Sequence, residues 1–365
     1  MKDPFEGADE DEELEEGAMA VAGAFAELQE AEDSLNADLD SDQETEGIHG
    51  HRELAKDPLC LRSCQTHSIM PVSCFFRQRI AGELNLRHRG LGPQGAQAVA
   101  FTLTNNPSIK RLDLRDNGLC GTGAEVLAAV LRKSSSICDV DLSENQLGVT
   151  GAQALCAALA ENQTVQKIQL AGNHLEEQAA QHLAAFLLAH TSVKSLDLSY
   201  NQLNDLAGEI LGPALAENTG LTELNIRWNH LRGSGATAFA KGLEANIFLK
   251  VLDISYNGFG DSGASAVGEA LKANNVLEEL NLSNNRISVV GALNLGFGLQ
   301  VNQTLRILVD IQVNREFDDL ASSVKVILPG LCLKTGAHRP EYKKELLPLF
   351  KPSSPASTLN DWSLQ

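Results

Sequence analysis

The sequence predicts an α/β fold of one particular kind: a right-handed β-α solenoid bent into a horseshoe, with a parallel sheet on the concave face and helices on the convex face. Three observations predict it. One leucine-rich pattern recurs at fixed spacing, each copy alternates apolar and polar residues as a strand does, and a stretch of helical composition follows each copy. The pattern, L-x-x-L-x-L-x-x-N-x-L, first reads clearly as Ile109, Leu112, Leu114, Asn117 and Leu119. It begins again at Ile137, Val165, Val193, Leu221, Leu249 and Leu277, always 28 residues on. A weaker copy starts at Ala81, with Arg89 where the asparagine would stand. Eight units without insertion or deletion therefore cover residues 81–304.

Each part of a unit follows from its residues. Leucines at the first, fourth and sixth positions alternate with polar residues, so they point inward from a short strand. Asn117, Asn145, Asn173, Asn201, Asn229, Asn257 and Asn285 form a ladder at the strand ends. There a side-chain amide can satisfy the backbone groups of a turn that has left the sheet. The second half of a unit, for example residues 151–163, reads as a helix opened by Gly or Ala. Asn106, Asn162, Asn218, Asn246, Asn274 and Asn302 close it, since Asn tolerates the left-handed geometry of helix ends. Alanines let neighbouring helices stack closely. One unit cannot bury its own leucines, but a stack of them makes a continuous core.

The stretches Leu84 to Gln97, Asn225 to Thr237, Leu252 to Leu271 and Asn281 to Leu293 carry a resemblance to a known family. Pro71 to Cys74 and Val313 to Asp318 extend it at either end. The chain resembles the leucine-rich repeat-containing protein 74 family, and its 28-residue unit is similar to the ribonuclease-inhibitor-like class of leucine-rich repeats. The resemblance runs over roughly residues 70–330. It implies a leucine-rich-repeat horseshoe with a non-enzymatic role, and it supplies no ligand.

The ends depart from the repeat. Residues 1–50 hold 18 of the 48 acidic residues and one base, Lys2, and read as an acidic disordered tail. Residues 51–80 are expected to cap the first unit, with Cys74, Phe75 and Phe76 over its open end. Residues 305–335 read as a degenerate C-terminal cap. Leu305 begins a ninth strand, Val313 replaces the expected asparagine, and a second strand-like run over 309–313 follows with no helix between. That junction at Leu308 and Val309 is what joining pieces of two different repeats, as in alternative splicing, would leave. Residues 336–365 read as a loose tail.

Charge and composition exclude several functions. Outside the first 50 residues 30 acids face 28 bases, which leaves no basic footprint for nucleic acid. No stretch approaches the length of a membrane span, and Glu6 to Glu16 occupy the place where a signal sequence would be apolar. Seven scattered cysteines suit reduced thiols, so the expected location is the cytoplasm or the nucleus.

Motifs that suggest chemistry dissolve into the repeat. Gly258 to Gly263 matches G-x-G-x-x-G, but Gly90 to Gly95 matches at the same phase, so the repeat turn explains both. Cys60, Cys64 and His67 lack a second ligand pair for zinc, and Cys74 stands alone. Cys156 reads as a small core residue, and His174 and His230 lie two units apart. The expectation is no catalytic residue, no metal and no cofactor, hence no enzyme.

The concave columns are more informative. The fifth position reads Asn85, Asp113, Asp141, Gln169, Asp197, Asn225, Asp253 and Asn281, a column common in this repeat class. The seventh holds Arg87, Arg115 and Arg227 among small residues. The eighth holds Tyr200, Trp228 and Tyr256 in successive units, three of the chain's five Tyr and Trp residues. These rings either cover neighbouring loops or form a binding hot spot, where Tyr, Trp and Arg dominate. The sequence thus predicts a monomeric scaffold that binds another protein on its concave face through Tyr200, Trp228, Tyr256, Arg227, Arg115 and Arg87. Two alternatives stand beside it. One is a GTPase-activating protein of the Ran-directed type, whose family joins similar repeats to an acidic tail. The other is an inhibitor of an enzyme partner, for which eight units and few cysteines are a short array.

Overall fold

The computed structural model describes residues 82–104, 107–309 and 332–334, all within the unit Asp57–Gln365. The acidic segment, the N-terminal cap with Cys60, Cys64, His67 and Cys74, the run 310–313 and the C-terminal tail lie outside the described residues.

Strands and helices alternate throughout. They are β1 (Glu83–Asn85), α1 (Gly92–Thr104), β2 (Arg111–Asp113), α2 (Cys120–Lys133), β3 (Asp139–Asp141) and α3 (Gly148–Glu161). Next come β4 (Lys167–Gln169), α4 (Glu177–Ala189), β5 (Ser195–Asp197), α5 (Asp205–Glu217), β6 (Glu223–Asn225) and α6 (Gly233–Ala245). The array ends with β7 (Val251–Asp253), α7 (Gly260–Ala273), β8 (Glu279–Asn281), α8 (Val289–Val301), β9 (Ile307–Val309) and β10 (Cys332–Lys334). The strands form one parallel sheet in chain order, and Leu84 pairs with Leu112 as each later strand pairs with the one 28 residues on. The last step differs, because Ile307 pairs with Cys332. The horseshoe β-α solenoid expected from the repeat is the fold.

Burial follows the pattern. Ile137, Val140, Leu142 and Leu147, the four apolar positions of one unit, are each 2 % exposed or less. Three-residue strands place positions three and five on the open face. Position eight has already left the strand, and there φ lies between 52° and 66° from His88 to Asn284.

The asparagine ladder holds these turns. Asn145 donates from Nδ2 to the carbonyls of Leu142, Leu114 and Ser143, at 2.9–3.0 Å, and accepts at Oδ1 from the amides of Asn117 and Leu119. Each buried asparagine therefore closes its own turn and braces the one before it, satisfying backbone groups that the sheet has released.

Two expectations about the helices need correction. The helix of the third unit starts at Gly148 rather than Gly151. Gly148, at φ +59°, makes the turn, and the helix follows at once. Gly151 is small for packing, since a Cβ there would sit 2.7 Å from that of Leu147. The closing asparagines among the described residues are also not left-handed: Asn162 has φ −91° and ψ 123°. They act through their side chains. Nδ2 of Asn162 donates to the carbonyls of Leu131 and Ser134, and Oδ1 accepts from the amides of Thr164 and Val165. This is a second ladder on the opposite edge of the array.

Neighbouring helices meet most closely through glycine. A Cβ on Gly242 of α6 would lie 2.1 Å from the carbonyl oxygen of Gly212 in α5, so the two backbones touch directly. The last helix departs from its predecessors on the convex side. Val290, Leu293, Phe297 and Val301 are exposed where Ser262, Ser265, Glu269 and Ala273 stand one repeat earlier.

Candidate functional site

The aromatic row is a stack. Tyr200, Trp228 and Tyr256 each occupy position eight, so the 28-residue register sets their Cα atoms one strand apart. Ring centroids are 5.8 Å apart for Tyr200 and Trp228 and 4.1 Å for Trp228 and Tyr256, with planes within 13° of parallel. The guanidinium of Arg227 lies 5.1 Å from the centre of the Tyr200 ring, a cation–π contact. Tyr200 remains 48 % exposed and Trp228 44 %.

The backbone beneath the stack makes it unusual. All three residues are left-handed, at φ 53–55°, where a bulky side chain is strained. Other units put His88, Asp116, Glu144, Gly172 or Asn284 there, so the left-handed turn is common to the column and the large rings are what set these three units apart. Two ring contacts, each worth about 0.5–1.5 kcal/mol, offset that strain. Both readings of the row therefore have a physical basis: the rings brace one another, and their edges still face solvent.

The same sheet carries a groove of about 340 Å³ lined by residues of β4 to β9. Four carboxylates stand in it: Asp197, Glu223, Asp253 and Glu279. Asp197 accepts from the amide of Ser199, and Asp253 from Ser255 and Asn281. Among the described residues none of the four has a basic partner within 4 Å. Lys167, at the groove's edge, is its one basic lining residue. Reading the fifth column as a trait of the repeat class missed this; reading the third and fifth columns together, by charge, would have found it.

Arg87 and Arg115 are elsewhere. Arg87 pairs with Asp113 and, at 3.3 Å, with Asp141, and its guanidinium is held above its ordinary pKa chiefly by the bond to Asp113. Arg115 pairs with Glu144. The structure brings Arg227 to the aromatic row and leaves these two in ion pairs of the first three repeats.

Other candidates have structural roles. Burial pushes the Cys156 thiol up to about 12, and Cys120, Cys138 and Cys156 are free thiols. Gly260 makes a left-handed turn and Gly263 packs on Phe259, as the repeat requires of both. Asn204 caps α5 by accepting from the amide of Ala207, and it donates to Glu177. His190 takes an asparagine's place in the second ladder. Nδ1 accepts from the amides of Ser192 and Val193, and Nε2 bonds the carbonyl of Asn162. Among the described residues no group of three or more His, Cys, Asp or Glu could hold a metal, and no helix is long and apolar enough to cross a membrane.

Comparison with known proteins agrees with the fold. The Leucine Rich repeat family matches residues 105–128, 133–156, 189–210, 217–240, 245–268 and 273–296. Leucine-rich repeat-containing protein 74B of Homo sapiens is 67 % identical over 111 residues, covering 30 % of this chain and 28 % of that protein. The Mus musculus protein of that name is 61 % identical over 111 residues, with the same shares. The match thus spans little more than a quarter of the relatives' length. Among solved structures, a tropomodulin C-terminal domain from Caenorhabditis elegans is 17 % identical with a TM-score of 0.36, over 41 % of this chain and 92 % of that one. Leiomodin-1 actin-binding site 2 is 18 % identical with a TM-score of 0.34, over 40 % and 87 %. Likeness at these scores carries no argument about function. The chain carries leucine-rich repeats, and over the matched residues it is similar to leucine-rich repeat-containing protein 74B.

Proposed function

We propose that this chain is a non-enzymatic scaffold, cytoplasmic or nuclear, that binds another protein along the concave rim of repeats 5–7. One observation carries the reading: three large rings are held in strained left-handed positions, stacked, and left nearly half exposed at Tyr200 and Trp228. Strain retained by a structure points to a site. Stacking also fixes the rings in place, so little side-chain entropy opposes docking.

The test is capture of a partner from cell lysate by the full chain, with Trp228→Asn and Arg87→Ala as paired variants. Asn tolerates the left-handed turn, so Trp228→Asn removes the ring without adding strain. Loss of a captured protein with Trp228→Asn but not with Arg87→Ala supports the reading. Equal capture by native protein and folded Trp228→Asn ends it.

A further inference from the structure

We propose that the polypeptide segment held at this rim is cationic, an arginine- or lysine-bearing stretch lying across β5 to β8. The proposal rests on the rim being the binding surface and names the chemistry of its partner.

Charge carries the argument. Asp197, Glu223, Asp253 and Glu279 come from four successive strands, and among the described residues no base neutralises them. The first three repeats show what this sheet does when its charges are meant to stay closed. There Arg87, Arg111 and Arg115 lie within 4 Å of Glu83, Asp113, Asp139, Asp141 or Glu144. The acids of repeats 5–8 are left open on the same scaffold, in a groove whose walls raise the field they produce.

The aromatic row supplies the second half of a cation site. Arg227 over Tyr200 shows that a guanidinium fits at one end of the stack. Trp228 has a tyrosine on each side, whereas Tyr256 has a ring partner on one side only among the described residues. An incoming guanidinium or ammonium therefore has an open ring face at the Tyr256 end, in the repeats whose strands carry the four carboxylates. Strands spaced about 4.8 Å apart make the acidic row about 15 Å long, which an extended peptide covers with about five residues at ~3.3 Å each. The groove, at about 340 Å³, is at the small end of ligand cavities and suits the side chains of a docked strand. The chain's own residues 1–50, with 18 acids and one base, lack the charge that this surface calls for.

The probe is a fluorescein-labelled hexa-arginine peptide, with hexa-glutamate as control, titrated into the full chain by anisotropy. The acidic segment 1–50 attracts any polycation, so the informative quantity is the difference between variants that share it. E223Q/E279Q removes two charges and keeps the side-chain shapes. It should weaken hexa-arginine binding about tenfold, with an unchanged melt, and Trp228→Asn should weaken it in the same direction. Equal affinity of native and E223Q/E279Q protein, or no binding at all, overturns the proposal. The captured partner separates the two claims. If Trp228→Asn loses it while E223Q/E279Q keeps it and hexa-arginine fails to compete, the surface stands and the cationic class falls. If neither variant loses it, both fall.

Discussion

In repeats 1–3 the concave side carries Arg87, Arg111 and Arg115, each beside a carboxylate of its own or a neighbouring repeat. In repeats 5–8 positions three and five carry Asp197, Glu223, Asp253 and Glu279 with no basic partner among the described residues, and position eight of repeats 5–7 carries three stacked rings. The backbone, the register and the asparagine ladder are the same in both halves. What differs is a handful of side chains at positions three, five, seven and eight. One half pairs its charges internally and the other does not. The scaffold is thus neutral with respect to function, and the columns on it decide.

The largest expected effect tests whether the halves share one scaffold. Asn201 donates to three carbonyls and accepts from the amides of Asn173 and Leu175. Asn201→Ala leaves several buried backbone groups unpaired and should cost about 3 kcal/mol, at ~1–3 for each group left unsatisfied. Asn117→Ala should cost a similar amount, and Asn204→Ala only about 1 kcal/mol for its lost cap. Urea melts of the three variants decide this. A loss at Asn201 no larger than at Asn204 would break the common frame.

The next effect separates the halves. Trp228→Asn should weaken partner binding by at least about 2 kcal/mol, as truncation of a hot spot does. Stability should change by less than about 1 kcal/mol, because the two ring contacts that disappear are offset by the left-handed strain that Asn relieves. Arg87→Ala should invert this result. Affinity should not change, while stability should fall by about 1 kcal/mol, since the buried Asp113 carboxylate loses a partner that is itself partly in water. Affinity and melting measured on one preparation of each variant would show whether the contrast is real.

Much of this was legible in the sequence. Seven copies of one pattern at an unbroken 28-residue spacing dictate strand register, inward apolar residues and the asparagine ladder, because that period leaves each residue one structural place. The row of Tyr200, Trp228 and Tyr256 was legible for the same reason. Its stacking and left-handed strain were not, since both depend on where the strand ends, and the three-residue strands end before position eight. Pairing was equally hidden. Arg87, Arg115 and Arg227 share one column, yet two are tied to carboxylates of neighbouring units and one lies on a ring. Helix starts were misplaced by three residues at Gly148 because a small residue needed for packing looked like one needed for a turn.

The smallest expected effect concerns the junction between the halves, where His190 replaces an asparagine in the second ladder. Its Nδ1 accepts from two backbone amides, so it cannot carry a proton there, and the proton sits on Nε2 facing the carbonyl of Asn162. Burial lowers its pKa, with the bond to Asn162 opposing. A histidine whose folded pKa lies below its unfolded value of about 6.5 favours the fold fully above that pH. As pH falls below about 6.5, the unfolded chain binds a proton that the folded chain does not, and stability declines towards the lowered folded pKa. His190→Asn places in the ladder the residue that Asn162, Asn218, Asn246 and Asn274 already supply, and it removes the titration. Melting the native chain and His190→Asn at about pH 7.5 and about pH 5.5 should show native protein losing more stability between the two. Should both lose the same amount, the imidazole would not be the group that makes this junction sensitive to acid.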